Sequence, residues 1–227
     1  MPIVIGLLFI FLLAVGPMLW VQFVLARHRR DRPDFPGTGG EFARHVLDGM
    51  GLPSIKVEET ALGDHYDPAL KAVRLVAANF HGRSLTAVVV AAHEVGHAMQ
   101  DATNSRMLKT RGRLAKTAAI VDIVGSVAML AAPIIAVLFR HPAGFFLQLG
   151  AGLAILSISV ILHLVTLPVE FDASFNRALP VLRHGRYIPD DDLPAARSIL
   201  RAAAFTYVAA ALMSLVNIMR WLRILRI

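Results

Sequence analysis

Two histidines four residues apart, with a glutamate directly after the first, stand in the stretch SLTAVVVAAHEVGHAMQD: His93, Glu94 and His97. On an α-helix, positions i and i+4 lie one turn apart on the same face, so the two imidazoles can be aimed at a single cation. A carboxylate adjacent to the first ligand is poorly placed to bind that ion, but it can hold a water there and take its proton as general base. The chemistry this spacing suits is metal-assisted hydrolysis.

The stretch reads as a helix. Ser84 is a good N-cap, Leu85 to Met99 contains no proline, and the apolar run Ala87 to Ala92 carries the histidines into a buried environment. Burying two histidines and a glutamate without a cation is expensive, which weighs against histidines that merely hydrogen-bond their neighbours. Gly96, between the two histidines, costs about 1 kcal/mol against alanine in a helix interior. It predicts that something approaches closely there, for example the metal or a substrate backbone.

A catalytic zinc takes three protein ligands and keeps an open position. The chain has no cysteine, so the third ligand must be another histidine or a carboxylate. Glu170 is the choice, because it lies just past an apolar span whose end returns to the side of the membrane that carries the His93–His97 helix. The competing reading is an interfacial carboxylate paired with Arg177. His163 lies seven residues earlier on the same helical face and is a candidate supporting group or transition-state donor. Asp122 is a weaker one, with Lys116 or Arg113 as its ordinary partner. His65, His81 and His184 are alternative ligands or oxyanion donors, surface histidines by default. Tyr207, His163 and His184 are the candidates for stabilising the oxyanion.

The elements that position these groups are largely membrane helices. Of the 227 residues 56% are hydrophobic, and the mean hydropathy is +0.60, more apolar than a soluble domain of this length. Pro2 to Ala26 is an uncharged apolar run followed by Arg27, His28, Arg29 and Arg30, the pattern of a signal anchor. Residues 27–116 are polar. They hold the linker DRPDFPGTGG, an amphipathic helix at Glu41 to Met50, short strands at Ile55 to Glu58 and Ala72 to Ala77 around the turn-rich GDHYDP, and the metal helix at 84–101. A strand just before that helix could offer its edge to an extended peptide. Residues 117–167 form a helical hairpin, with spans at 117–139 and 143–167. Residues 168–201 are polar again, and 202–227 form a last transmembrane or re-entrant helix.

Fourteen of the Lys and Arg residues fall in the first polar segment and five in the second, against one in the hairpin turn, so both polar segments are expected in the cytoplasm. The three C-terminal arginines disagree with that count. The net charge of +7 does not argue for nucleic acid, because the arginines sit beside apolar spans where headgroups hold them. The expected fold is mainly α: a multi-span membrane helical protein with a small cytoplasmic α+β zincin-like catalytic region.

Four blocks together, GDHYDP at Gly63 to Pro68, AAHEVGHAMQ at Ala91 to Gln100, LPVEFDAS at Leu167 to Ser174 and TYVAAAL at Thr206 to Leu212, resemble the YugP-like neutral zinc metallopeptidases of bacterial membranes in content, order and gaps. The resemblance implies an integral zinc endopeptidase of the bacterial inner membrane with one zinc ion per chain, which the apolar spans make multi-pass and the Lys and Arg count orients with its active site facing the cytoplasm. His93 and His97 would be ligands, Glu94 the catalytic base, and Glu170 the glutamate ligand of the wider glutamate-zincin group, which includes the HtpX-like proteases. Those relatives read E-x-x-A-D. Here Ser174 stands at the aspartate's place as a candidate support for a zinc histidine, while Asp172 is expected on another helical face. The partners implied are a protein or peptide substrate and the lipid bilayer; the oligomeric state is left open, a homo-oligomer included. The rival from a different class is a metal-stabilised membrane scaffold or regulatory protein without turnover, which has no need of Glu94. A metal carrier would string polar ligands along several spans, a pattern this chain lacks.

Overall fold

The computed structural model describes residues 2–139, 143–206 and 208. The chain is mostly helical with one small sheet, and it divides into two compact units.

The first unit comprises Met1–Val15, Lys109–Thr166 and Tyr207–Ile227. Its described part is built from long helices: the start of α1 (Pro2–Arg27), most of α5 (Arg106–Phe139) and most of α6 (Ala143–Phe171). Ile120, Ile123, Val124, Val127 and Leu130 of α5, and Phe146, Leu153, Ile161 and Leu164 of α6, point their apolar side chains outward. Among the described residues one helix is long and apolar enough to cross a membrane, Leu149–His184, with a mean hydropathy of 2.2 in its most apolar window. The hairpin turn expected at 140–142 and most of the C-terminal helix expected at 202–227 lie outside the described residues.

The second unit, Gly16–Leu108 with Leu167–Thr206, holds the helix that carries His93 and His97. Thr38 caps α2 (Gly39–Gly49) in a reciprocal box, its hydroxyl accepting from the Glu41 amide while the Glu41 carboxylate accepts from the Thr38 amide. Phe42, Ala43, Val46 and Leu47 then form one buried stripe. The expected strands appear as β1 (Lys56–Thr60) and β3 (Ala72–Val76), and GDHYDP contains a further short strand, β2 (His65–Asp67). The order is β1-β3-β2, with β1 parallel and β2 antiparallel to β3. This corrects the expectation of a free edge just before the metal helix. The strand there, β3, is central, with both edges paired.

GDHYDP owes its composition to these connections. Asp64 accepts from the Val76 amide and from the Asn79 side chain, both at 2.8 Å, tying β3 to α3 (Ala77–Phe80). Burial pushes the Asp64 carboxyl above its ordinary range, although the hydrogen bonds from Val76 and Asn79 oppose the shift. Asp67 accepts the amides of Ala69 and Leu70 and so closes the turn into β3. Tyr66 donates to Asp101 at 2.6 Å, which fastens the sheet to the end of α4.

Helix α4 (Leu85–Ala102) is capped by the Ser84 hydroxyl, which accepts from Ala87 N–H, and it is buried almost all round. It packs between α2, the sheet and the chain that continues α6. That continuation, expected as a plain helix, is a π-helical segment over Asp172–Ala178, followed by α7 (Leu179–His184) and, after a single 3-10 turn, α8 over 193–206.

A candidate metal centre between α4 and the end of α6

His93 and His97 project from the middle of α4, and Glu170 from the last turn of α6; each is 5% exposed or less. The His93 Nε2 lies 3.1 Å and the His97 Nε2 3.2 Å from the same oxygen, Glu170 Oε2. Among the described residues this is the one group of three such side chains whose ligand atoms converge, all within 4.8 Å of one another.

The proton positions on the two rings follow from their outer partners. The Gln100 amide nitrogen donates to the Val169 carbonyl and to Asp172 Oδ2, each at 2.8 Å, which fixes the orientation of the carboxamide. Its oxygen therefore faces His97 Nδ1 at 2.9 Å and can only accept, so that nitrogen carries the proton. On the other ring, Ser174 Oγ lies 3.0 Å from His93 Nδ1 and 3.3 Å from the Leu200 carbonyl. With its hydroxyl proton directed to Leu200, Ser174 accepts from His93. Both rings then turn an Nε2 lone pair toward a carboxylate oxygen, and three acceptors converge in a buried space.

Such a donor set is satisfied by a cation. The separations of 3.1 Å and 3.2 Å are close to the edge, roughly 3.3 Å, of a tetrahedron whose metal–nitrogen bonds are about 2.0 Å. Imidazole and carboxylate without thiolate is the set expected of a catalytic zinc site rather than a closed structural one.

Gly96 sits where the two elements meet. A Cβ there would lie 2.5 Å from the carbonyl oxygen of Ala173. The close approach that Gly96 predicts is therefore real, but it is made by the protein's own backbone, and neither metal nor substrate is needed to account for it. The wider π-helical turn begins two residues after Glu170 and contains both Ala173 and Ser174.

Arg177 does not pair with Glu170; its Nε donates to Asp172 at 2.9 Å. Asp172, expected to face away, reaches the histidines indirectly through Gln100, whose long side chain spans the gap from α4. Gln100 itself was absent from the expected site. The signal for it was local: a polar residue three positions after His97 on an otherwise apolar helix face. Glu94 is buried beside His93 on α4. Among the described residues, none of the other candidates joins the three that converge. His163 lies within α6 in the other unit, His184 is exposed at the end of α7, Asp122 is exposed on α5, and Tyr207 lies outside the described residues. His65 Nδ1 is 2.8 Å from the Gly63 carbonyl and His81 Nε2 is 2.8 Å from Glu59.

Comparison with known proteins gives a consistent picture. A family model described as "Putative neutral zinc metallopeptidase" matches residues 3–226. The chain is 35% identical over 226 residues to the "Putative membrane protease YugP" of Bacillus subtilis (strain 168), with 96% of each chain covered. No solved structure gives a significant match.

Proposed function

The chain belongs to the neutral zinc metallopeptidase family, and on that premise we propose that it is a membrane-embedded endopeptidase whose zinc is held by His93, His97 and Glu170. The observation that carries this reading is the convergence of two Nε2 lone pairs on Glu170 Oε2, with the Nδ1 atom of each ring engaged by a second residue. Zinc in that position would supply Lewis acidity and bring the pKa of a water toward about 7.

The residues divide the remaining work. Glu94 takes the proton of the attacking water and returns it to the departing amine nitrogen, so that no charged amide leaves. The burial of α4 around it keeps bulk water from competing for that proton. The outward apolar faces of α5 and α6 and the apolar Leu149–His184 helix support embedding in a bilayer. We assign spans at 2–26, 117–139 and 143–167 and a last one beginning near 202. Both polar segments, with the site, are assigned to the cytoplasmic side of the bacterial inner membrane from the distribution of Lys and Arg.

The test is zinc content together with peptide cleavage, measured on detergent-purified wild type, Glu94→Gln and Glu170→Ala. The proposal expects about one zinc per chain in wild type, zinc without cleavage in Glu94→Gln, and weakened zinc in Glu170→Ala. A wild type that binds no zinc overturns it. Cleavage that survives Glu94→Gln removes the role assigned to that residue, and zinc with no cleavage by wild type favours the scaffold.

A further inference from the structure

We infer that Gln100 is a positioning residue that locks His97 in the tautomer whose Nε2 faces the metal, with Asp172 and the Val169 carbonyl setting the polarity of the lock. The inference rests on reading His97 as a zinc ligand. A neutral imidazole free in water prefers its proton on Nε2, the wrong atom for a ligand that must bind through Nε2. A carboxamide beside Nδ1 does not correct this by itself, since an amide that can turn over offers a donor as readily as an acceptor.

Here the amide cannot turn over. Rotated by half a turn, the Gln100 oxygen would face two acceptors, the Val169 carbonyl and Asp172 Oδ2, each now 2.8 Å from the amide nitrogen. Gln100 is fully buried, so no water would relieve that arrangement. Asp172 is in turn anchored by Arg177 at 2.9 Å and Asn176 at 3.0 Å. The hydrogen-bond direction therefore runs one way, from His97 to Gln100 and from Gln100 to Asp172, across the junction of α4 with the π-helical segment. Groups that orient a metal ligand in this manner typically govern about 10–100-fold in metal affinity.

The experiment has two readouts. The first is the ¹⁵N spectrum of metal-free protein labelled at histidine, with the His97 signals assigned by their loss in His97→Gln. Wild type is expected to show His97 protonated on Nδ1. Gln100→Met, of similar length but without an amide oxygen, is expected to shift it toward the Nε2-protonated form, and Gln100→Glu, whose second oxygen must carry a proton to face Val169 and Asp172 as the amide nitrogen does, to hold it on Nδ1. The second readout is zinc affinity by competition with a chelator, expected to fall about 10–100-fold in Gln100→Met. A wild-type His97 protonated on Nε2 overturns the inference, even if neither variant folds. So does zinc affinity in folded Gln100→Met within about threefold of wild type, on the same scale. A wild type that takes up no zinc while His97 stays protonated on Nδ1 sinks the ligand reading and leaves the lock standing, so the two failures are distinguishable.

Discussion

Gly96 of α4 faces the carbonyl oxygen of Ala173 so closely that a Cβ would stand 2.5 Å from it. Backbone on one side and helix on the other leave nothing flexible to move aside. In an exposed helix a glycine-to-alanine change stabilises by about 1 kcal/mol; at this position the steric term reverses the sign. Gly96→Ala is expected to lower the thermal midpoint and to loosen zinc, because the helix that brings Glu170 must shift. A midpoint equal to or above that of wild type in calorimetry would contradict this account.

The Ser174 hydroxyl lies 3.0 Å from His93 Nδ1. Ser174→Ala is expected to weaken zinc by about tenfold, the lower end of the range for such supporting groups, while the fold is retained. Competition titration with a chelator reads this directly, and an unchanged affinity would show that His93 needs no support from that side.

Tyr66 donates to Asp101 at 2.6 Å, and Lys71 bonds the same carboxylate oxygen. Tyr66→Phe removes the hydrogen bond with little change of shape and should cost about 1.5–2 kcal/mol, the low side of the range for a hydrogen bond to a charged group because Lys71 remains. Chemical denaturation of the detergent-solubilised protein tests the figure. A loss of zinc out of proportion to that loss of stability would mean that this end of α4 also sets the metal site.

Asp64 carries a carboxyl raised above its ordinary range by burial. A group raised in the folded state contributes most to stability below its unfolded pKa, and that contribution is lost as pH rises through the folded value. Asn79 can turn its amide over to serve an asparagine at position 64, because its Oδ1 has no hydrogen-bond partner as it stands. Asp64→Asn should therefore be most destabilising relative to wild type in acid, with the gap narrowing toward neutral pH. Melting of both metal-free proteins at pH 4 and pH 7 shows the trend; a gap that widens with pH would refute it.

The absence of cysteine makes topology directly testable. Leu62, 86% exposed, and Asp191, also exposed, lie in the two polar segments assigned to the cytoplasm. Leu62→Cys and Asp191→Cys should react with an impermeant maleimide in inverted vesicles and resist it in intact cells. Labelling of either from outside would reverse the orientation assigned to that segment.

The His93–Glu94–His97 helix was legible in the sequence because its information is local. A four-residue spacing needs only helical geometry to put two imidazoles on one face, and Ser84, the apolar run and the lack of proline are read within one window. The apolar runs of α1, α5 and α6 were legible for the same reason. What brings Glu170 Oε2 within 3.2 Å of both rings lies more than seventy residues away along the chain and is decided by how the π-helical segment that continues α6 packs on α4. The same holds for Gln100 and Asp172, whose link depends on a long side chain crossing between helices, and for Gly96, whose neighbour is backbone that a single sequence does not reveal. Strand β2 was not legible because three residues are too few to establish an alternation; pairing with β3 makes them a strand and turns β3 from an edge into the centre. The chain's own letters determined which atoms could bind a metal. Tertiary packing decided which carboxylate joins them and which way their protons point, since those depend on distances between elements rather than on spacing within one.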